Sequence, residues 1–352
     1  MTAKQNTFDV RRIQSDDIPR LMQFYRETFP AKPKLNNQAL WEWEFLANPF
    51  NTGEPGFFIV DSDQGVHGAA GVVCGRLQVE DTVMDAYHPV NFFVQDEYKG
   101  FPALRLFRKV MDAGEVFYAS YVSGDAAKLV EKAGFQNLND HIKDYYYFLR
   151  IDDAAPLSKK HLRSVAIYGA RRCLSMWCAT QLKMRMGHRY HYRVTRSLDA
   201  DMIPSVAAQC LPGRIGLVKD LQYLQWRYER SPVLRCRFIV QYKDQQPNCL
   251  VVVHEDADNN CGVILDVIRA TGDVLEIKGV LAKAIGVIAS AGYATILTTA
   301  LGTVLAQALS QLGFGSYNCS HRFMFYAKDK VLRERLNSPQ QWDFNLGDTD
   351  VY

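Results

Sequence analysis

The chain contains no Cys-x-x-Cys pair and no histidine near a cysteine at metal-ligand spacing, which argues against a zinc site. Its eight cysteines are scattered instead, at positions 74, 173, 178, 210, 236, 249, 261 and 319. They read as reduced, mostly buried thiols of a cytoplasmic protein with no resident metal. The stretch from Met1 to Arg12 is polar and runs directly into a strand-like pattern, with no apolar core of a signal peptide. A further absence is local. From Ala154 to Leu198 there is no Asp or Glu, while Lys159, Lys160, Arg163, Arg171, Arg172, Lys183, Arg185, Arg189, Arg193 and Arg196 all fall there. The net charge of +3 is therefore concentrated in one segment, and the rest of the chain is net acidic.

Among the 352 residues, 48% are hydrophobic and 22% charged, a balance that supports a substantial core and excludes global disorder. That length exceeds what one core usually organises, so two domains are expected. An internal repeat agrees. Val10 to Tyr25 matches the region from Val194 in layout: a short strand, an acidic and polar turn, then Ile18-Pro19 or Ile203-Pro204 opening a helix. Proline in the first helical turn sacrifices no intrahelical hydrogen bond. The segment from Trp43 to Pro49 then matches Trp226 to Pro232, each with a Trp, an aromatic two residues later and a terminating proline. Trp41, Trp43, Trp226 and Tyr228 have the spacing of helical core residues, with a sugar-stacking role as the lesser alternative.

After each comes a pair of strand-like runs that reads as a hairpin: Phe57 to Val60 with Gly71 to Cys74, and Phe238 to Val240 with Leu250 to Val253. Late in each half a short helix closes on Gly134-Phe135 or Gly313-Phe314, where glycine suits the left-handed end of a helix. Strands follow at Tyr145 to Leu149 and Phe323 to Tyr326. The order β, α, α, β, β, β, α, β, α, β thus occurs twice.

This order resembles the GNAT superfamily of acyl-CoA-dependent N-acyltransferases. The resemblance is sharpest at Val94-Gln95-Asp96-Glu97-Tyr98-Lys99-Gly100, similar to the family's V-x-P-E-Y-R-G, where a glycine-containing turn opens a helix. It implies an α/β fold, or more closely an α+β mixed sheet: two consecutive GNAT-like domains, each a mostly antiparallel twisted sheet flanked by helices. The expected boundaries are 1–150 for a first domain with the acyl-CoA site, 151–190 for a basic helical connector, and 191–352 for a second domain with a degenerate site. In the family the turn binds the pyrophosphate of acetyl-CoA or another acyl-CoA, used as co-substrate without a metal. Unsatisfied N–H groups at a helix N-terminus and the helix dipole supply the attraction.

The resemblance implies donor contacts from Phe93, Val94, Gln95, Lys99, Gly100, Phe101, Ala103 and Ser123. Backbone groups of Phe93 to Gln95 would polarise the thioester carbonyl, and Lys99 would add one positive charge. Pro102 departs from the pattern, since it has no N–H. The second half departs further, because Asp273 would repel phosphate. The family often has an Asn opening the later helix and a Tyr protonating the thiolate; here those positions are Ser123 and Val130, and Gly302 and Leu309.

Candidate acid–base groups are His88 with Asp85, before the strand that carries Asn91, and Tyr121 with Tyr118 on a later strand. A histidine titrating near pH 6.5 could take the amine proton, or it could simply be packed. The tyrosines could be acids or core residues. The connector, in which apolar residues mix with the cations, reads either as an inter-domain helix or, over 159–193, as a face in peripheral contact with anionic membrane; nucleic acid is disfavoured as a partner. Trp226-Arg227-Tyr228-x-x-Ser231-Pro232 and the stretch from Trp342 to Asp350 look similar to GNAT-like proteins of bacterial surface-polysaccharide systems. This implies a small-molecule or saccharide amine as acceptor. A Fem-type aminoacyl transferase and a non-catalytic binding protein on the same fold are the alternatives.

Overall fold

The computed structural model describes residues 8–51, 56–122, 124–150, 189–204, 213–319 and 322–349. In the first half, β1 (Asp9–Arg12) leads to α1 (Ile18–Thr28) and α2 (Gln38–Phe45), then to β2 (Phe57–Ser62), β3 (Gly65–Val79) and β4 (Thr82–Val94). Helix α3 (Phe101–Met111), β5 (Val116–Val122), α4 (Gly124–Lys132), β6 (Gln136–Asn137) and β7 (Lys143–Phe148) follow. The second half repeats the plan with β8 (Tyr190–Thr195), β9 (Ile215–Leu217), α5 (Leu221–Leu224), β10 (Cys236–Lys243), β11 (Gln246–Asp256) and β12 (Cys261–Arg269). It ends with α6 (Val274–Ser290), β13 (Thr295–Leu301), α7 (Thr303–Gln311), β14 (Gly315–Asn318), β15 (Arg322–Ala327), α8 (Lys330–Leu336) and β16 (Phe344–Asn345). The helix that Ile203-Pro204 was expected to open falls on positions 205–212, which lie outside the described residues.

Two mixed sheets result, with strand orders β1-β2-β3-β4-β5-β15-β6 and β8-β10-β11-β12-β13-β7-β14. Each has one parallel pairing, β4 with β5 and β12 with β13, and is otherwise antiparallel. The orders correspond strand for strand, except that the halves exchange a strand. The expected boundary at residue 150 leaves Tyr145 to Leu149 with the first half, whereas β7 lies between β13 and β14 of the second sheet. Strand β15 takes the matching place between β5 and β6 of the first. Neither sheet is complete without the other half of the chain.

Period-two alternation explains the layering. On β2, Phe57 and Ile59 face a core shared by both halves, while Phe58 and Val60 face the cluster under α3 and α4. The shared core holds Trp41, Trp43, Trp226 and Tyr228, all buried, together with Leu21, Tyr25, Phe238 and Val252. Trp43 and Trp226 mark the repeat in space. Each indole N–H donates to the other's carbonyl oxygen, at 2.8 and 2.9 Å, and the rings stack 5.1 Å apart. Cys74, Cys236, Cys249 and Cys261 are buried and free. Among the described residues no helix is long and apolar enough to cross a membrane, and no cluster of His, Cys, Asp or Glu could hold a metal.

Candidate functional site

Strand β4 carries a bulge. Phe93 pairs with Ala69 and Val90 with Gly71, which leaves Asn91 and Phe92 opposite Ala70, with Asn91 at φ 54°. A bulge bends its strand and ends regular pairing. Correspondingly, β4 and β5 share one ladder pair, Tyr87 with Phe117, and separate beyond it. The Gln95 N–H is used by His67 O at 2.9 Å, so alternation turns the Val94 amide away from β3, toward the gap. Of the three backbone groups expected to polarise a carbonyl, only that of Val94 is directed there. Phe93 pairs toward β3, and its ring packs 4.7 Å from Phe29.

The turn that follows is braced by stacked rings. His67 lies 4.0 Å from Tyr98 and nearly parallel to it, and its two nitrogens meet Gln95 Oε1 at 2.9 Å and Ser62 Oγ at 2.7 Å. Gly100 has φ 115°, a region L side chains rarely adopt, and a Cβ there would meet nothing within 4 Å. Leu104 makes the first intrahelical bond of α3, to Gly100 O at 2.9 Å. The Phe101 and Ala103 amides precede it, and Pro102 between them supplies no donor. The corner is open to solvent, with Phe101 68% exposed. Lys99 pairs with Asp96 at 2.6 Å, so its charge is shared.

The expected acid–base groups lie apart from this corner. His88 is buried, stacks 4.8 Å from Tyr118, and has Nε2 3.3 Å from Ser120 N and 3.2 Å from Ser120 Oγ. A backbone N–H can only donate, so Nε2 is the acceptor and the imidazole fastens β5 to β4 where the ladder has ended. Asp85 is exposed and opposite Arg76 on β3. Burial raises the Tyr118 hydroxyl well above its ordinary range, so it stays protonated. The Tyr121 side chain, Ser123 and residues 151–188 of the connector lie outside the described residues.

A cavity of about 400 Å³ opens between α1, α2 and the bulge. Its lining includes Tyr25, Lys32, Lys34, Trp41, Glu44 and Asn91. Glu44 is buried, and Asn91 Nδ2 lies 3.5 Å from its Oε2. Burial, with the nearby Glu44 charge, raises the Tyr25 hydroxyl far above its usual value. Glu44 also borders a small void shared with His88, Tyr118 and Arg227. Sequence reasoning missed Glu44, although a signal exists: it stands three residues after Trp41, a spacing that puts an acid on the apolar face of α2.

In the second sheet the corresponding features are filled. Strands β12 and β13 pair from Cys261 to Val263 and then part. The C-terminal segment enters there, with β16 pairing to Ala300 and Leu301. Gly347 lies so close to the Tyr228 hydroxyl that a Cβ would collide with it, and the same Cβ would be tight against Leu265 O. Arg227 holds the segment by donating to Gly347 O and Thr349 O. The Asp273 carboxylate caps α6 by accepting from Leu275 N at 2.7 Å, which places a negative charge at that helix N-terminus.

No protein-family model and no curated protein matches the chain in sequence. Solved structures do match in fold. A conserved protein of unknown function from Enterococcus faecalis V583 superposes with a TM-score of 0.59 at 11% identity, over 92% of this chain and 73% of that one. GCN5-related N-acetyltransferases from Kribbella flavida and Anabaena variabilis ATCC 29413 give TM-scores of 0.56 and 0.52, each at 11% identity. They cover 92% of this chain in both cases, and 72% and 73% of their own. The architecture is that of two GNAT-like domains.

Proposed function

We propose that the chain is an acyl-CoA-dependent N-acyltransferase with one donor site, in the first half. The observation that carries this reading is the contrast between the two gaps: the β12–β13 gap is closed by residues 344–349, whereas the β4–β5 gap keeps the Val94 amide and the start of α3. There the amides of Phe101 and Ala103, with the helix dipole, suit a pyrophosphate, and Val94 N–H suits a thioester carbonyl. The bulge joins this corner to the cavity, which suits an amine. In the reaction the amine nitrogen attacks the carbonyl, the C–N bond forms and the C–S bond breaks. Of the two protons the ammonium sheds, one goes to solvent through a base and one to the departing thiolate. Glu44 takes the role of base in this reading, in place of His88, whose Nε2 lone pair is already engaged.

Calorimetric titration with acetyl-CoA tests the donor site. Binding is expected at one site per chain, and ligand at about 100 times its dissociation constant stabilises the fold by about 2.7 kcal/mol. Absence of binding by acetyl-CoA and by longer acyl-CoAs overturns the proposal.

A further inference from the structure

The lining of the cavity beside the bulge combines buried and exposed groups. Glu44 lies buried at the Asn91 end. Lys32 and Lys34, both exposed, stand at the mouth, and among the described residues neither is paired with a carboxylate. Lys32 is held over the Phe93 ring, 4.6 Å from its centroid, which keeps the cation beside the opening. Tyr25 and Trp41, which also line the cavity, are 1% and 4% exposed, and among the described residues each carries a buried polar atom, the phenol oxygen and the indole nitrogen, with no partner. Buried polar groups are normally satisfied, and both of these can donate. Their partners are then expected on a ligand.

The geometry points to an acceptor that is a small primary amine bearing an anionic group and oxygen acceptors, of the phosphorylated amino-alcohol or amino-sugar kind. Its ammonium would sit on Glu44, its oxygens on Tyr25 and Trp41, and its phosphate between Lys32 and Lys34. This rests on the acyl-transfer reading and specifies its acceptor. A volume of about 400 Å³ is within the range of small-ligand sites, which begins at roughly 300 Å³. Among the described residues, the groups bearing on the carboxylate include Tyr25 from α1, Asn91 from β4, and Arg227 from the second half, whose buried charge interacts with Glu44. Glu44 therefore both recognises the ammonium and takes its first proton. The second N–H proton leaves with the thiolate as free thiol.

The test measures thiol release from acetyl-CoA with two matched pairs, ethanolamine against O-phosphoethanolamine and glucosamine against glucosamine 6-phosphate. The phosphorylated member of each pair is expected to have a kcat/KM about tenfold higher, as two exposed cations can supply. The double variant Lys32→Gln, Lys34→Gln should abolish that preference, bringing kcat/KM for each phosphorylated amine down to that of its unphosphorylated partner. Glu44→Gln should lower kcat for every amine by about a hundredfold at neutral pH, with the rate recovering as pH approaches the amine's own pKa. Loss of acetyl-CoA binding would overturn the acyl-transfer reading itself. Intact acetyl-CoA binding with no turnover of either phosphorylated amine, or a preference that survives the double lysine variant, overturns this inference alone.

Discussion

Replacing Lys219 with Met tests how the second gap is held shut. The Lys219 ammonium lies 2.7 Å from Asp266 on β12 and 2.7 Å from Asp348 in the C-terminal segment, and both carboxylates are fully buried. Tyr228 donates to the other oxygen of Asp266 at 2.6 Å. Burial alone would lower the Lys219 pKa, but the two carboxylates outweigh it and raise it instead. Burial also pushes Asp348 up to about 6 from 3.8, against the pull of Lys219 and with a further push from Asp266. The native state therefore binds the Asp348 proton more tightly than the unfolded chain does. The stability from that proton is present below about pH 4 and is lost as pH rises through about 6. Met fills a similar volume without charge and leaves two buried anions together, a loss of about 3–5 kcal/mol. Without the pull of Lys219, Asp348 resists ionisation more strongly, so the loss should be greatest near pH 8 and shrink toward pH 5. Urea unfolding at those two pH values measures it, and adding Asp348→Asn to the variant should recover part of the loss. A deficit below about 1 kcal/mol, or one independent of pH, would refute the reasoning.

Trp43→Ala removes one stacked indole and its bond to the Trp226 carbonyl, so thermal or chemical denaturation should show a loss of about 3–5 kcal/mol in a single transition covering both halves. Pro102→Ala restores an amide at the start of α3. Calorimetry should find acetyl-CoA bound about tenfold more tightly, the worth of one hydrogen bond to a charged group. Asp273→Ala costs α6 its cap, about 1 kcal/mol in denaturation. It should not create a second acyl-CoA site, because Phe344 to Thr349 still fill the gap, and the titration should keep one site per chain.

Apart from the helix expected at Ile203-Pro204, which falls outside the described residues, the repeated order of elements was legible from the chain alone, as were the Gly-Phe helix ends, the hairpins and the burial of Trp41, Trp43, Trp226 and Tyr228. These are local properties: hydrophobic period, proline and glycine placement, and helix spacing act within a dozen residues. What the tertiary structure decided is which distant segments meet. Strands β7 and β15 are both aromatic-rich strands that follow equivalent helices, and nothing in either pattern says which sheet it joins. The two gaps likewise differ through partners far away in sequence. The C-terminal segment closes one of them, while Glu44, Asn91 and Tyr25 come from three separate elements to build the cavity beside the other. Side-chain period records which face of an element is buried but not what is buried against it, so the strand exchange and the acceptor cavity became visible only once the chain was folded.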